Sequence, residues 1–87
     1  MSEYRITFLR SARKELASLD KRTVSRILSK IESLSKQPYP LGNRKLEGTD
    51  DLWRIRVGDY RVVYRILHEQ LVVEIVSVRH RRDAYRP

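Results

Sequence analysis

Arginine dominates the chemistry that this sequence can offer. Arg54 and Arg56 alternate with apolar residues in Leu52-Trp53-Arg54-Ile55-Arg56-Val57, and Arg61 and Arg65 lie in Tyr60-Arg61-Val62-Val63-Tyr64-Arg65. A later apolar run leads into Arg79-His80-Arg81-Arg82-Asp83-Ala84-Tyr85-Arg86. The guanidinium is a planar fork that binds two phosphate oxygens at once and keeps its proton. Such a set holds anions and stabilises developing charge. Tyr85 is the one aromatic in the tail, and an aromatic among arginines can stack on a base. His80 is the one histidine near the basic group. Other chemistry is sparse: there is no metal-ligand spacing, no Gly-rich phosphate loop, no paired-carboxylate arrangement and no cysteine. No cofactor or metal is expected.

Which arginines share a surface depends on the strands that carry them. Gly58-Asp59, between two alternating runs, is a two-residue hairpin turn of the Gly-X kind, and such a turn fixes the register. Val57 then pairs with Tyr60, Arg56 with Arg61, Ile55 with Val62, Arg54 with Val63 and Trp53 with Tyr64. The apolar partners fall on one face, and Arg54, Arg56, Arg61 and Arg65 fall together on the other. Strands often carry arginine on a solvated side. Like charges directly opposite each other, however, destabilise a hairpin, and a bound phosphate would relieve the conflict. His68-Glu69-Gln70 reads as a looser second turn, with His68 solvated. Pairing Leu67 with Leu71 across it sets Ser77 opposite Arg61 and brings Arg79 out on the arginine side, a face that then also carries Val63, Val73 and Ile75. Glu74 is expected to pair with an arginine.

The apolar face needs a cover. Tyr4–Leu9 alternates as a short strand, and Ser11 is placed to cap a helix carrying Ala12, Leu16 and Leu19. Asp20 caps a second helix, in which Val24, Ile27, Leu28, Ile31 and Leu34 form one stripe until Pro38 and Pro40 stop it. Residues 41–51 read as a loop with room for a short extended stretch at Arg44-Lys45-Leu46, and strands follow over 52–57, 60–67 and 71–78. The expected architecture is α+β, in the order β-α-α-β-β-β, with a helical hairpin packed on one face of an antiparallel sheet.

Composition sets the outer bounds. At 87 residues the chain is expected to form one domain, over 1–87, with a small core. Nineteen Lys+Arg against 11 Asp+Glu give a net charge of +8, and with 40% apolar residues and only three glycines and three prolines the charge belongs on a folded surface. Such a surface attracts nucleic acid first, acidic protein second and anionic membrane last. No apolar run approaches a membrane span and the N-terminus lacks a signal-peptide core, so the expected location is the cytoplasm and no membrane partner is expected.

Lys45-Leu46-Glu47-Gly48 followed by Leu52-Trp53-Arg54-Ile55-Arg56-Val57-Gly58-Asp59-Tyr60-Arg61-Val62-Val63-Tyr64 resembles the RelE/ParE toxin superfamily. The ending Val76-Ser77-Val78-Arg79-His80-Arg81-Arg82-Asp83-Ala84-Tyr85-Arg86 is similar to the RelE branch, and the likeness runs through essentially the whole chain. It implies a RelE-like fold and a toxin of a type II toxin–antitoxin system, neutralised by an acidic antitoxin in a hetero-oligomer. RelE-like members are endoribonucleases that cut mRNA in the ribosomal A site without a metal, by attack of the ribose 2′-OH on the adjacent phosphate. By position the family's site falls on Arg54 and Arg56, Arg61, Arg81 and Tyr85, with Arg61, Arg81 and Tyr85 in the catalytic roles. Arg54, Arg56, Arg65, Arg79, His80 and Arg82 are the expected substrate-binding residues.

Where the familiar pattern has lysines, this chain has Arg54 and Arg56. A lysine can shed a proton when its pKa is depressed and an arginine effectively cannot, so these two positions hold phosphates and the proton acceptor is Tyr85 or His80. The alternatives are a ParE-like protein that inhibits DNA gyrase by binding alone and a nucleic-acid-binding homologue without activity.

Overall fold

The computed structural model describes residues 3–39, 43–46 and 51–83. Its elements are β1 (Arg5–Phe8), α1 (Arg10–Ala17), α2 (Lys21–Ser33), β2 (Arg44–Lys45), β3 (Leu52–Val57), β4 (Tyr60–Leu67) and β5 (Val72–His80). The strands form one sheet in the order β1-β5-β4-β3-β2, with both helices on one side. All neighbours are antiparallel except β1, which runs parallel to β5. No helix among the described residues is long and apolar enough to cross a membrane.

The core forms where the helical stripes meet the inner face of the sheet. Ile27, Ile31 and Leu34 from the α2 stripe and Ala12 from α1 pack on Ile55, Val62, Tyr64, Ile66, Val73, Ile75 and Val78. Full burial of each large aliphatic chain stabilises the fold by about 1.5–3 kcal/mol. Tyr64 is completely buried and donates its hydroxyl to the Pro38 carbonyl at 2.7 Å. Burial pushes the pKa of this phenol above its ordinary value of 10.0.

Asp20 caps α2 as expected, accepting from the Thr23 amide at 3.3 Å, but Ser11 does not cap α1. The chain leaves β1 so abruptly that Leu9 takes the cap position, and the Ser11 hydroxyl donates instead to the Val76 carbonyl on β5 at 2.9 Å. Nor do the prolines stop α2. It ends at Ser33, where the Leu34, Ser35 and Lys36 amides turn back to carbonyls three residues earlier, before Pro38 is reached.

The first hairpin has the expected register, with Gly58 at φ 59° and Arg56 opposite Arg61. Arg26 of α2 lies over this turn, and a Cβ on Gly58 would come within 3.3 Å of its guanidinium. The second hairpin differs from expectation. Its turn has four residues, closed by Leu71 at φ 55°, so Leu67 pairs with Val72 rather than Leu71. An irregularity between Val63 and Tyr64 then leaves Val76 without a partner: Tyr64 faces Ile75 while Val63 faces Ser77. Each shift changes which residues point inward. Val73 and Ile75 are therefore fully buried under the helices rather than on the arginine face, and Arg61 sits opposite Arg79 rather than Ser77.

His68 is not simply solvated. Its Nδ1 lies 3.0 Å from the Tyr4 hydroxyl and its Nε2 2.7 Å from the Tyr39 hydroxyl, and Tyr39 packs edge-on against Trp53. The turn thereby fastens the segments on either side of the helical hairpin to one end of the sheet.

Candidate anion-binding face

The sheet surface away from the helices is organised in rows running across the strands. One row is Arg56 on β3, Arg61 on β4 and Arg79 on β5. The next is Arg44 on β2, Arg54 on β3, Val63 on β4 and Ser77 on β5. A third is Leu52, Arg65 and Glu74. Neighbouring strands lie about 4.8 Å apart, so the first two rows set arginines of four adjacent strands side by side on one face. A two-residue turn, a two-residue strand and a bulge are the local features that bring them together.

Two depressions share Arg54 and Arg61 as their common wall. One of about 280 Å³ is completed by Arg44 and Arg56. The other, of about 360 Å³, has an apolar floor of Leu46, Leu52, Val63 and Val76 and ends at Ser77 and Arg79. A cationic wall beside an apolar floor suits a nucleotide, whose phosphate takes charged hydrogen bonds while its base takes apolar contact.

Four of the expected residues, Arg54, Arg56, Arg61 and Arg79, thus share these two rows. Arg81 lies just past β5 with an exposed side chain, and its amide donates to the Asp59 carbonyl at 2.6 Å. That bond pins it to the hairpin turn at the Arg56–Arg61 end. Arg65 is on the same face but sits between carboxylates: Nε meets Asp51 at 2.9 Å and Nη1 meets Glu74 at 2.7 Å. Asp51 foremost, then Glu74, push the pKa of this guanidinium still higher against the opposing effect of burial. The expected pairing of Glu74 with an arginine is thereby present.

His80 belongs to the other side of the sheet. It stands opposite Tyr60, its ring edge-on to that tyrosine at 5.3 Å, and its Nδ1 accepts the Arg82 amide at 3.2 Å. Arg82 itself is exposed. Tyr85 lies outside the described residues. Arg44 was not among the candidates from sequence; only the pairing of β2 with β3 places it opposite Arg54, and the short extended stretch was its sole sequence signal. Among the described residues no group of His, Cys, Asp or Glu side chains comes together as a metal site.

Residues 6–85 match a family described as the ParE toxin of the type II toxin–antitoxin system parDE. A putative RelE-like toxin protein of Escherichia coli is 33% identical over 94% of this chain and 90% of its own length. Toxin RelG of Mycobacterium tuberculosis is 36% identical over 95% of this chain and 97% of its own. In the crystal structure of the archaeal RelE–RelB complex from Pyrococcus horikoshii, a chain of 36% identity superposes with a TM-score of 0.81, covering 94% of this chain and 99% of that one.

Proposed function

The chain belongs to the RelE/ParE superfamily of type II toxins, and from that premise we propose that it is a translation-blocking endoribonuclease that cuts mRNA in the ribosomal A site. The observation that carries this reading is the row Arg56–Arg61–Arg79, with Arg44 and Arg54 beside it and Arg81 pinned at its end. In the proposed reaction the ribose 2′-OH loses its proton and attacks the adjacent phosphorus. The bond to the 5′ oxygen breaks, that oxygen takes up a proton and leaves as the 5′-hydroxyl of the downstream fragment, and a 2′,3′-cyclic phosphate remains on the upstream one. Arg61 and Arg81 stabilise the extra charge on the phosphoryl oxygens, Arg81 from the side of the departing oxygen, and Arg54, Arg56 and Arg79 hold the flanking phosphates. The nucleophile comes from the substrate, so this chemistry asks for no metal-activated water.

Tyr85 takes the general-base or stacking role by its match to the family position. The engagement of His80 with Tyr60 and Arg82, on the side facing the helices, supports that choice. The ion pairs around Arg65 support a structural role for that residue. The neutralising partner is an acidic antitoxin, as the RelB complex of the archaeal relative suggests. With a net charge of +8, association is fast and weakened by salt.

The match to a ParE description favours one other reading, a gyrase inhibitor that acts by binding alone. Inducible expression followed by primer extension on cellular mRNA separates the two. Growth arrest with new 5′ ends inside translated codons supports the ribonuclease; growth arrest with intact message and induced DNA damage rejects it.

A further inference from the structure

β5 has β1 as a neighbour only through Ile75, because β1 ends at Phe8 and the chain turns into α1. Over the next stretch of β5 that edge is taken by side chains of α1. Ser11 donates to the Val76 carbonyl at 2.9 Å. One oxygen of Glu15 accepts the Val78 amide at 2.8 Å and the other accepts Arg79 Nε at 3.0 Å. The Glu15 side chain is only 26% exposed. A single carboxylate thus completes an open strand edge and grips a guanidinium of the candidate site.

The grip has a direction. Using Nε leaves the outer edge of the fork, with its two terminal nitrogens, as the part that can take two phosphate oxygens. Without it, Arg79 stands directly across from Arg61, and like-charge repulsion drives a long, flexible side chain off the face. We infer that Glu15 is a positioning residue of the arginine face: by bonding the Val78 amide and Arg79 Nε together, it holds Arg79 with its outer edge toward the RNA phosphate. The inference rests on the reading of this face as the site of RNA cleavage. It also separates binding from turnover. Glu15 removes one positive charge from the neighbourhood, so its neutralisation strengthens the general attraction for RNA while it loosens the geometry.

The test is Glu15→Gln, which keeps an acceptor for Val78 and removes the charge. On programmed ribosomes the expected result is a kcat lower by about tenfold or more, with KM unchanged or lower and a melting temperature near the parent's. In an Arg79→Ala background the same change should cost nothing further. Losses that multiply, or a KM that rises with kcat unchanged, overturn the inference. Should Glu15→Gln not fold, Glu15→Asp, which keeps the charge but withdraws it by one methylene, carries the same comparison. A second readout needs no activity: the Arg79 Nε–H resonance of the intact protein, protected in the parent and lost to exchange in Glu15→Gln. An unaltered resonance refutes the grip. If the parent cuts no message at all, the ribonuclease reading falls, and the resonance still decides the role of Glu15.

Discussion

Arg61 and Arg65 lie on the same strand and the same face, two pleats apart on either side of the register shift between β4 and β5, and their neighbours make them different residues. Arg65 faces Glu74 on β5, with Asp51 at its other side, and its charge is spent inside the fold. Arg61 faces Arg56 on β3 and Arg79 on β5, so both of its cross-strand neighbours carry its own sign. Cross-strand pairs of opposite charge stabilise a sheet and like pairs destabilise it, by about 0.2–1 kcal/mol each. One end of β4 therefore uses arginine across from a carboxylate, which stabilises the sheet, while the other sets arginine across from arginine on both sides, an arrangement that a bound anion would favour. Residue type did not separate them; the partner across the strand did.

The sharpest way to break this contrast is to truncate each arginine. Arg61→Ala should lower single-turnover cleavage by about 10²–10³-fold while the protein still folds. Arg81→Ala should match it in activity. An active Arg61→Ala protein, or one inactive because it has unfolded, sinks the assignment.

The next-largest effect comes from the face beneath. Tyr64→Phe leaves the Pro38 carbonyl without its donor and should cost about 1–3 kcal/mol in denaturant unfolding. Its pH dependence follows from the raised pKa of Tyr64. The contribution is complete below the ordinary tyrosine value and is lost as pH climbs through the raised one, because the unfolded phenol ionises first. Tyr64→Phe should flatten that alkaline decline without touching cleavage chemistry at neutral pH; an unaltered decline places its source elsewhere.

Arg65→Ala should do the reverse of Arg61→Ala. It strands two partly exposed carboxylates and should cost about 1–2 kcal/mol, while the folded fraction cleaves within a few-fold of the parent. A large loss of kcat at full folding would move Arg65 into the site. Smallest in stability is a graft of one environment onto the other: Arg56→Glu gives Arg61 a carboxylate directly opposite. It should raise stability by about 0.2–1 kcal/mol and lower activity, a pairing of outcomes that thermal melts and cleavage assays read together.

The Arg56–Arg61 pair was legible in the sequence because Gly58-Asp59 leaves a hairpin only one register. The Arg61–Arg79 pair was not. In Val72-Val73-Glu74-Ile75-Val76-Ser77-Val78 both alternating sets are largely apolar, so hydrophobicity does not say which one faces the helices. A four-residue turn closed by Leu71 in the left-handed region shifts the start of pairing, and the unpartnered Val76 reverses the phase again. Val73 and Ile75 move inward by the first shift, while Val78 stays inward and Arg79 stays outward because of the second. Ser11 and Glu15 were illegible for a related reason. Their importance arises only where β1 ends short of β5, and no local pattern announces a strand edge left open for a helix to close.

The parallel pairing of β1 with β5 also governs the order in which the molecule can come into being. Arg5 must find Val72, and β5 must slot between β1 and β4, so an interior strand of the sheet is made after both of its neighbours. The β3–β4 hairpin is local and can close early, but contacts that span nearly the whole chain carry a large loop-closure cost before any burial offsets it. A nascent chain therefore carries its arginine hairpin with neither the strand that completes the row nor the buried Val73 and Ile75 that fix it to the helices. A chain stopped at Leu71 is expected to show no cooperative melting and no cleavage, and a sharp transition in that fragment would refute the dependence. The toxin would then be harmless to the ribosome that is making it, and would become dangerous only on completion.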